Sequence, residues 1–260
     1  MTHFDITVIV NAHREGLLVG PSLRSVQASV AAALDANISI QVIAVLDRSD
    51  DVTKNIFDEW QLPNLTVNIC HVEYGDLGMS RNYGVSRAQG RWIAFLDADD
   101  LWSRNWLTAA FRAAEDEVRL SVWHPETNLC FGVRPHIFMH VDMDTAGFDP
   151  SILVETNAWT ALSFASRALL TQVPYRATAF DRQIGYEDWG WNLETLSKGA
   201  VHKTVAGTAH AIRTKNVSLV SKTTGAFCLP YPPILFRSLL EKRKSVDATV
   251  PHLYSDAEAA

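Results

Sequence analysis

Cysteine is scarce. The 260 residues hold three, Cys70, Cys130 and Cys228. They are odd in number and too far apart for a disulfide framework or a CxxC metal knuckle. A reducing compartment, the cytoplasm, is the reading that follows. Long apolar runs are also missing, and no stretch approaches the roughly 20 residues that span a bilayer. The N-terminus, Met1-Thr2-His3-Phe4-Asp5, has no basic region followed by an apolar one, so it does not read as a signal peptide. Basic charge is in deficit. Lys and Arg number 23 against 29 Asp and Glu, a net charge of −6. That speaks against nucleic acid as a partner. Repeats, low-complexity tracts and clean linkers are absent too, so the chain reads as one large domain or two small ones.

What is present is an ordinary globular mixture, 47% hydrophobic and 20% charged, which argues against disorder. The first half alternates strand and helix patterns. Ile6 to Val10 reads as a buried strand, and Pro21 opens a helix with Leu23, Val26, Val30 and Leu34 at helical spacing. Ile40 to Leu46 is a second strand. Asp50 or Asp51 caps the next helix. Thr66 to Val72 is a third strand, Ser80 to Gln89 a helix stopped by Gly90, and Trp92 to Leu96 a fourth strand. Leu107, Ala110, Phe111 and Ala114 mark another helix. The second half is less regular. Strands are expected at Val118 to Trp123, His136 to Val141 and Val201 to Ala206, and a helix from about Glu187 to Lys198.

Strand–helix alternation implies a parallel sheet with helices on its faces. Ligands bind such sheets at the carboxyl ends of the strands. Three loops fall there: Asn11 to Glu15, Asp47 to Asp51 and Asp97 to Asp100, each polar or acidic. The last delivers three carboxylates, Asp97, Asp99 and Asp100, onto one turn. Clustered carboxylates repel, and a hard divalent cation, Mg²⁺ or Mn²⁺, offsets that with oxygen ligands. The plainer alternative is a solvated acidic turn with Asp100 capping the next helix. Further along, Arg213 and Lys215 sit two apart, so an extended segment aims both the same way, and two cations there suit a diphosphate. His136, His140, Asp142 and Asp144 would share a face of an extended strand, as a polar face, acceptor contacts or a second metal site.

Around the acidic turn, Gly78-Met79-Ser80-Arg81-Asn82-Tyr83-Gly84, Ala88-Gln89-Gly90-Arg91-Trp92-Ile93 and Ala94-Phe95-Leu96-Asp97-Ala98-Asp99-Asp100 follow in order. Together they resemble the ARN…FLDxDD block of family two glycosyltransferases. Ile6 to Arg14 looks like that family's first strand and loop, Ala44 to Asp51 like its second loop, and Tyr186-Glu187-Asp188-Trp189 like its ED motif. The resemblance covers roughly residues 5 to 225.

It implies an α/β fold of the GT-A type, Rossmann-like, with a mixed, mainly parallel sheet and helices on both faces. Residues 1–225 would form the domain, 1–115 its nucleotide-sugar half and 116–225 its acceptor half, with 226–260 a C-terminal extension. The implied reaction is inverting transfer of a sugar from a nucleotide-diphosphate donor to a hydroxyl of a glycan or lipid-linked acceptor. Asp188 maps to the general base. Asp99, with Asp97, maps to the metal, Mn²⁺ or Mg²⁺, and His210 to a late metal-ligating histidine. Asn11, His13, Asp47, Arg81, Asp97, Arg213 and Lys215 map to the donor side. Glu187, Trp191 and His124 are candidates for the acceptor. Arg48 departs from the pattern, standing where the family often has a base-reading aspartate. That departure keeps open a nucleotide-sugar-binding module without turnover. A metal-dependent nucleotidyltransferase is a further alternative, although Asn11 to Gly16 is a poor version of its basic, glycine-rich loop. Residues 228–237 and Lys242-Arg243-Lys244 combine apolar and basic groups. They either pack on the core or make peripheral contact with the inner membrane face.

Overall fold

Strict alternation of side chains to opposite faces decides the architecture. The structure, a computed structural model, describes residues 4–247, with side chains to residue 242. The reading of Met1–His3 and the part of the expected C-terminal extension beyond residue 247 fall outside the described residues, as do the side chains of Arg243 and Lys244. Strand β1 (Phe4–Ala12) lies between β2 (Ile40–Asp47) and β4 (Gly90–Asp97), and β3 (Val67–Val72) flanks β2; all four are parallel. Ile6, Val8 and Val10 of β1 face one way, into a core with helices α1 (Val19–Asp35), α2 (Asp51–Asp58) and α4 (Trp106–Asp116). Ile9, Ile43 and Phe95 face the other way, against α3 (Leu77–Arg87), α5 (Arg167–Gln172) and α6 (Glu187–Ser197). Both faces of the sheet are covered, which is why its strands read as continuous apolar runs.

Past β4 the sheet changes character. The short antiparallel β8 (Phe164–Ser166) separates β4 from the long β6 (Ser121–Gly132), which runs parallel to β9 (Val201–Thr214). The two-residue β5 (Leu101–Trp102) pairs with β9 at His210 and Ala211, and β7 (His136–Met139) pairs with β6. Helices α7 (Leu219–Gly225) and α8 (Ile234–Asp247) follow. Leu235, Phe236 and Leu239 of α8 pack with Leu153, Trp159 and Leu193, so this part of the C-terminal segment is core-packed.

Several boundaries differ from the sequence reading, each for a local reason. The first helix starts at Val19, after a 3-10 turn at Gly16–Leu18, and Pro21 sits inside its first turn, where no N–H is needed. The helical stretch Gly16–Asp35 is, by length and composition, long and apolar enough to cross a membrane, contrary to expectation. Here Val19, Leu23, Val26 and Val30 are buried in the core. Helix α3 begins earlier than expected because the Asp76 carboxylate accepts from Met79 N at 2.9 Å and caps it. Gly90 is not a helix stop. It opens β4, where a Cβ would lie 2.4 Å from Thr7 N. Asp50 caps α2 as expected. Asp100 caps no helix among the described residues: β5 follows it, and α4 starts only at Trp106. Strands β6 and β9 run on past their expected ends while β7 stops short at Met139, so His124 and Pro125 lie within β6, with a bulge between Pro125 and Thr127.

Candidate active site

Asn11 of β1 is in register with Asp97 of β4, and Asp47 ends β2 beside them, so three polar side chains leave the sheet at one edge. Above that edge lies a cavity of about 630 Å³, within the range for small-molecule sites. Its lining comes from both halves of the chain, from Asn11 through Asp99 on one side and from Phe138, Asn157, Asp188 and Lys215 on the other.

The acidic turn is resolved into three different environments. Both oxygens of Asp97 accept from Arg81 Nη2 at 3.1 Å. Asp100 is buried and accepts from Arg213 N at 2.6 Å. Burial, then the charges of Asp99 and Asp97, push its carboxyl well above the usual carboxylate range. Asp99 is buried as well, and its Oδ2 lies 2.6 Å from Lys215 Nζ. Burial works against the Lys215 ammonium, but the Asp99 hydrogen bond prevails and raises its pKa. Arg213 Nε donates to the Asp99 carbonyl at 3.3 Å, and its guanidinium stacks over Phe131. Arg213 and Lys215 thus meet the acidic turn from more than a hundred residues away, carried there by β9.

Arg81 is fully buried. Besides Asp97 it binds Glu187 Oε1 through Nη1 at 3.1 Å, and it lies over the Tyr175 ring. It reaches the cavity wall, but its charge is shared between two carboxylates, so it works as a link between β4 and α6. Glu187 is buried, and desolvation and Asp188 outweigh Arg81 to bring its pKa to about 7. Asp188 lines the cavity from the first turn of α6. Its Oδ1 accepts from Trp189 N at 2.8 Å and its Oδ2 from Asn157 Nδ2 at 3.1 Å. Desolvation raises its pKa, and the Arg81 charge opposes that rise.

On the donor-side loops, His13 Nδ1 is 2.5 Å from the Asp47 carbonyl, and Glu15 accepts from His13 N at 2.6 Å. The Asp47 carboxylate takes the Gly75 and Asp76 N–H groups and the Ser80 hydroxyl, and so shapes the turn before α3. Arg48 has φ +50° and hooks its side chain onto the Glu73 carbonyl. Asn11 differs from these. It is buried, lines the cavity, and neither its amide nitrogen nor its oxygen has a partner among the described residues. A buried amide that faces a cavity is costly unless a partner meets it there.

Three candidates lie away from the cavity lining. Trp191 is core: it stacks on Tyr175 at 5.1 Å, and Nε1 donates to the Val173 carbonyl. His124 is fully buried, 2.9 Å from His202 Nδ1, and desolvation holds its pKa well below the usual value. His210 is fully buried edge-on to Trp106 at 4.7 Å. Strand alternation turns the two histidines inward, and Trp191 sits on the buried face of α6. The four residues at 136–144 do not converge either. His140 Nδ1 donates to the Pro125 carbonyl and its Nε2 accepts from Thr160 N, whereas Asp144 pairs with Arg119 and Lys203. Sequence reasoning missed Glu15, Asp76 and Asn157. Asp76 carried a cap signal before Leu77. Asn157 carried none, because it sits in a stretch with no periodicity and no motif.

Residues 7–138, just over half of the chain, match the family model described as glycosyl transferase family 2. EpsH of Bacillus subtilis (strain 168) is 33% identical over 84 residues, which are 32% of this chain and 24% of that protein. The matched segment thus spans about a quarter of that relative. Among solved structures, S. aureus TarS 1-349 in complex with UDP-GlcNAc superposes with a TM-score of 0.59 at 17% identity, over 98% of this chain and 68% of that one. The mannosyltransferase PcManGT from Pyrobaculum calidifontis, in complex with GDP-Man and Mn²⁺, gives 0.61 at 15% identity, over 96% and 71%. At these identities the likeness is one of fold.

Proposed function

The chain belongs to glycosyl transferase family 2 and has the GT-A fold, and on that premise we propose an inverting sugar transfer from a nucleotide-diphosphate donor to a hydroxyl of a glycan or lipid-linked acceptor. The observation that carries this reading is one cavity holding both a cation–carboxylate cluster, Asp99 with Lys215 and Arg213, and a separate carboxylate, Asp188.

In this reading the donor lies over the carboxyl edge of the sheet, with its nucleoside toward Asn11 and His13 and its diphosphate toward Arg213 and Lys215. The acceptor hydroxyl gives its proton to Asp188 as its oxygen attacks the anomeric carbon. The bond to the diphosphate breaks on the opposite face, which inverts the configuration. Arg213 and Lys215 meet the charge that builds on the leaving group.

The residues fit a hard divalent cation of the Mg²⁺ or Mn²⁺ kind. Such an ion takes one or two carboxylates and completes its shell with substrate phosphates and water. Asp99 would supply the carboxylate, because its ion-pair partner is a partly exposed lysine that can swing to a phosphate. Asp97 is held by Arg81, and among the described residues no three His, Cys, Asp or Glu side chains are set to hold an ion alone. When bound, the ion would neutralise diphosphate charge. The structural neighbours solved with UDP-GlcNAc and with GDP-Man and Mn²⁺ support the donor class and the metal. Phe227, Leu229 and Ile234 are exposed, which supports a peripheral contact with a membrane that carries a lipid-linked acceptor, on the cytoplasmic side.

The test is a thermal-shift panel of nucleotide-diphosphate sugars with Mn²⁺, Mg²⁺ or EDTA, followed by release of the nucleoside diphosphate. One donor should raise the melting temperature, more strongly with metal. Asp188→Asn should keep that shift and lose turnover. Turnover retained in Asp188→Asn removes the residue from the base role, and binding without turnover in the wild type supports a binding module instead.

A further inference from the structure

Asp188 does not hold its position alone. One of its oxygens meets an amide supplied by a loop outside every motif of the chain. Asn157 follows the 3-10 turn Pro150–Val154, and its Nδ2 donates to Asp188 Oδ2 at 3.1 Å. Which end of the amide faces Asp188 is fixed by the other end. Asn157 Oδ1 accepts from Asn192 Nδ2 at 2.9 Å and from Trp159 N at 3.4 Å, so the nitrogen must point at the carboxylate. Asn192 lies four residues after Asp188 and therefore on the same face of α6. The helix thus grips Asn157 at two points one turn apart.

The loop behind Asn157 is pinned. Trp159 Nε1 donates to the Val141 carbonyl at 2.8 Å, and its ring stacks on His202 at 4.1 Å. Thr160 N donates to His140 Nε2 at 2.9 Å. Asn157 therefore cannot relax away from Asp188 without disturbing buried neighbours.

We propose that Asn157, oriented by Asn192, is a positioning residue that aims the Asp188 carboxylate and keeps it ionised. This rests on the reading of Asp188 as the base. A hydrogen bond to the charged form favours that form. The need is real at this site. Asp97 and Glu187 face Asp188 with like charge or its potential, Tyr175 lies near, and Arg81 is the cation that answers them. Asp188 Oδ2 has capacity for a second donor beyond the amide, which is where the acceptor hydroxyl would present its proton.

Two readouts test this. The first is a ¹³C NMR titration of the Asp188 carboxyl, assigned by its loss in Asp188→Asn. Asn157→Ala should move its midpoint up by about one pH unit. Asn157→Asp, which keeps the shape and sets a second carboxylate against the first, should move it further up. Asn192→Ala should give a smaller shift in the same direction. The second readout is donor hydrolysis with UDP-GlcNAc or GDP-mannose as probe, in which water is the acceptor. The acid limb of kcat should shift with the NMR midpoint, and donor KM should stay. Asn157→Ala added to Asp188→Asn should change nothing further. An unmoved midpoint in both Asn157 variants overturns the proposal. Unchanged hydrolysis with an unmoved acid limb does so too, and leaves Asn157 as an acceptor contact. If Asp188→Asn itself retains hydrolysis, the base reading has failed instead.

Discussion

Arg81→Met removes the charge that joins the two halves of the cavity while keeping the volume of a long side chain. Arg81 makes three charge-assisted hydrogen bonds, two to Asp97 and one to Glu187, with no exposure of its own. Breaking a buried pair by removing one partner typically costs about 3–5 kcal/mol, since the other charge is left unanswered. Asp97 is about a quarter exposed and can recruit water, which favours the lower end, about 3 kcal/mol. For a chain of this size that corresponds to a fall in melting temperature of about 6–12 °C.

The pH dependence makes the argument sharper. Glu187 is an acid whose folded pKa, about 7, lies above its ordinary value of 4.5. Between those values the folded state holds a proton that the unfolded state has released, so this group's contribution weakens as pH rises through that window. Removing Arg81 takes away the charge that opposed the rise. The carboxyls of the variant then keep their protons to still higher pH, and its stability falls more steeply. The gap between wild type and Arg81→Met should be small near about pH 5 and grow toward about pH 8. Thermal and urea unfolding at both values measure it. A gap that stays flat with pH, or a cost below about 1 kcal/mol near about pH 8, would refute the linkage of Asp97, Arg81 and Glu187.

Two further outcomes are expected. Asp99→Ala should collapse toward unity the ratio of nucleotide affinities measured by calorimetry with Mn²⁺ and with EDTA, and a preserved ratio would place the metal elsewhere. Gly90→Ala should lower stability by about 3 kcal/mol, because the new methyl meets Thr7 backbone rather than a movable side chain. A neutral effect in urea unfolding would mean that β1 and β4 can part without cost.

Much of the fold was written locally. The first three strands, their intervening helices and the Asp50 cap followed from periodicity and capping chemistry, because those depend on neighbours within a few residues. The strand-end rule then pointed to Asn11, Asp47 and Asp97, and motif order pointed to Asp99 and Asp188. All five line one cavity. What the sequence could not decide was pairing and burial across distance. Arg81 carries the same letters whether it contacts a donor or is buried between Asp97 and Glu187. Trp191, His124 and His210 look as available as any aromatic or histidine until the packing of β6, β9 and α6 turns them inward. Asn157 becomes visible only when a loop with no pattern of its own is folded onto the first turn of α6. Local chemistry specifies the elements and where ligands meet them. Which polar groups are left free to act depends on which partners the tertiary fold has already given to the rest.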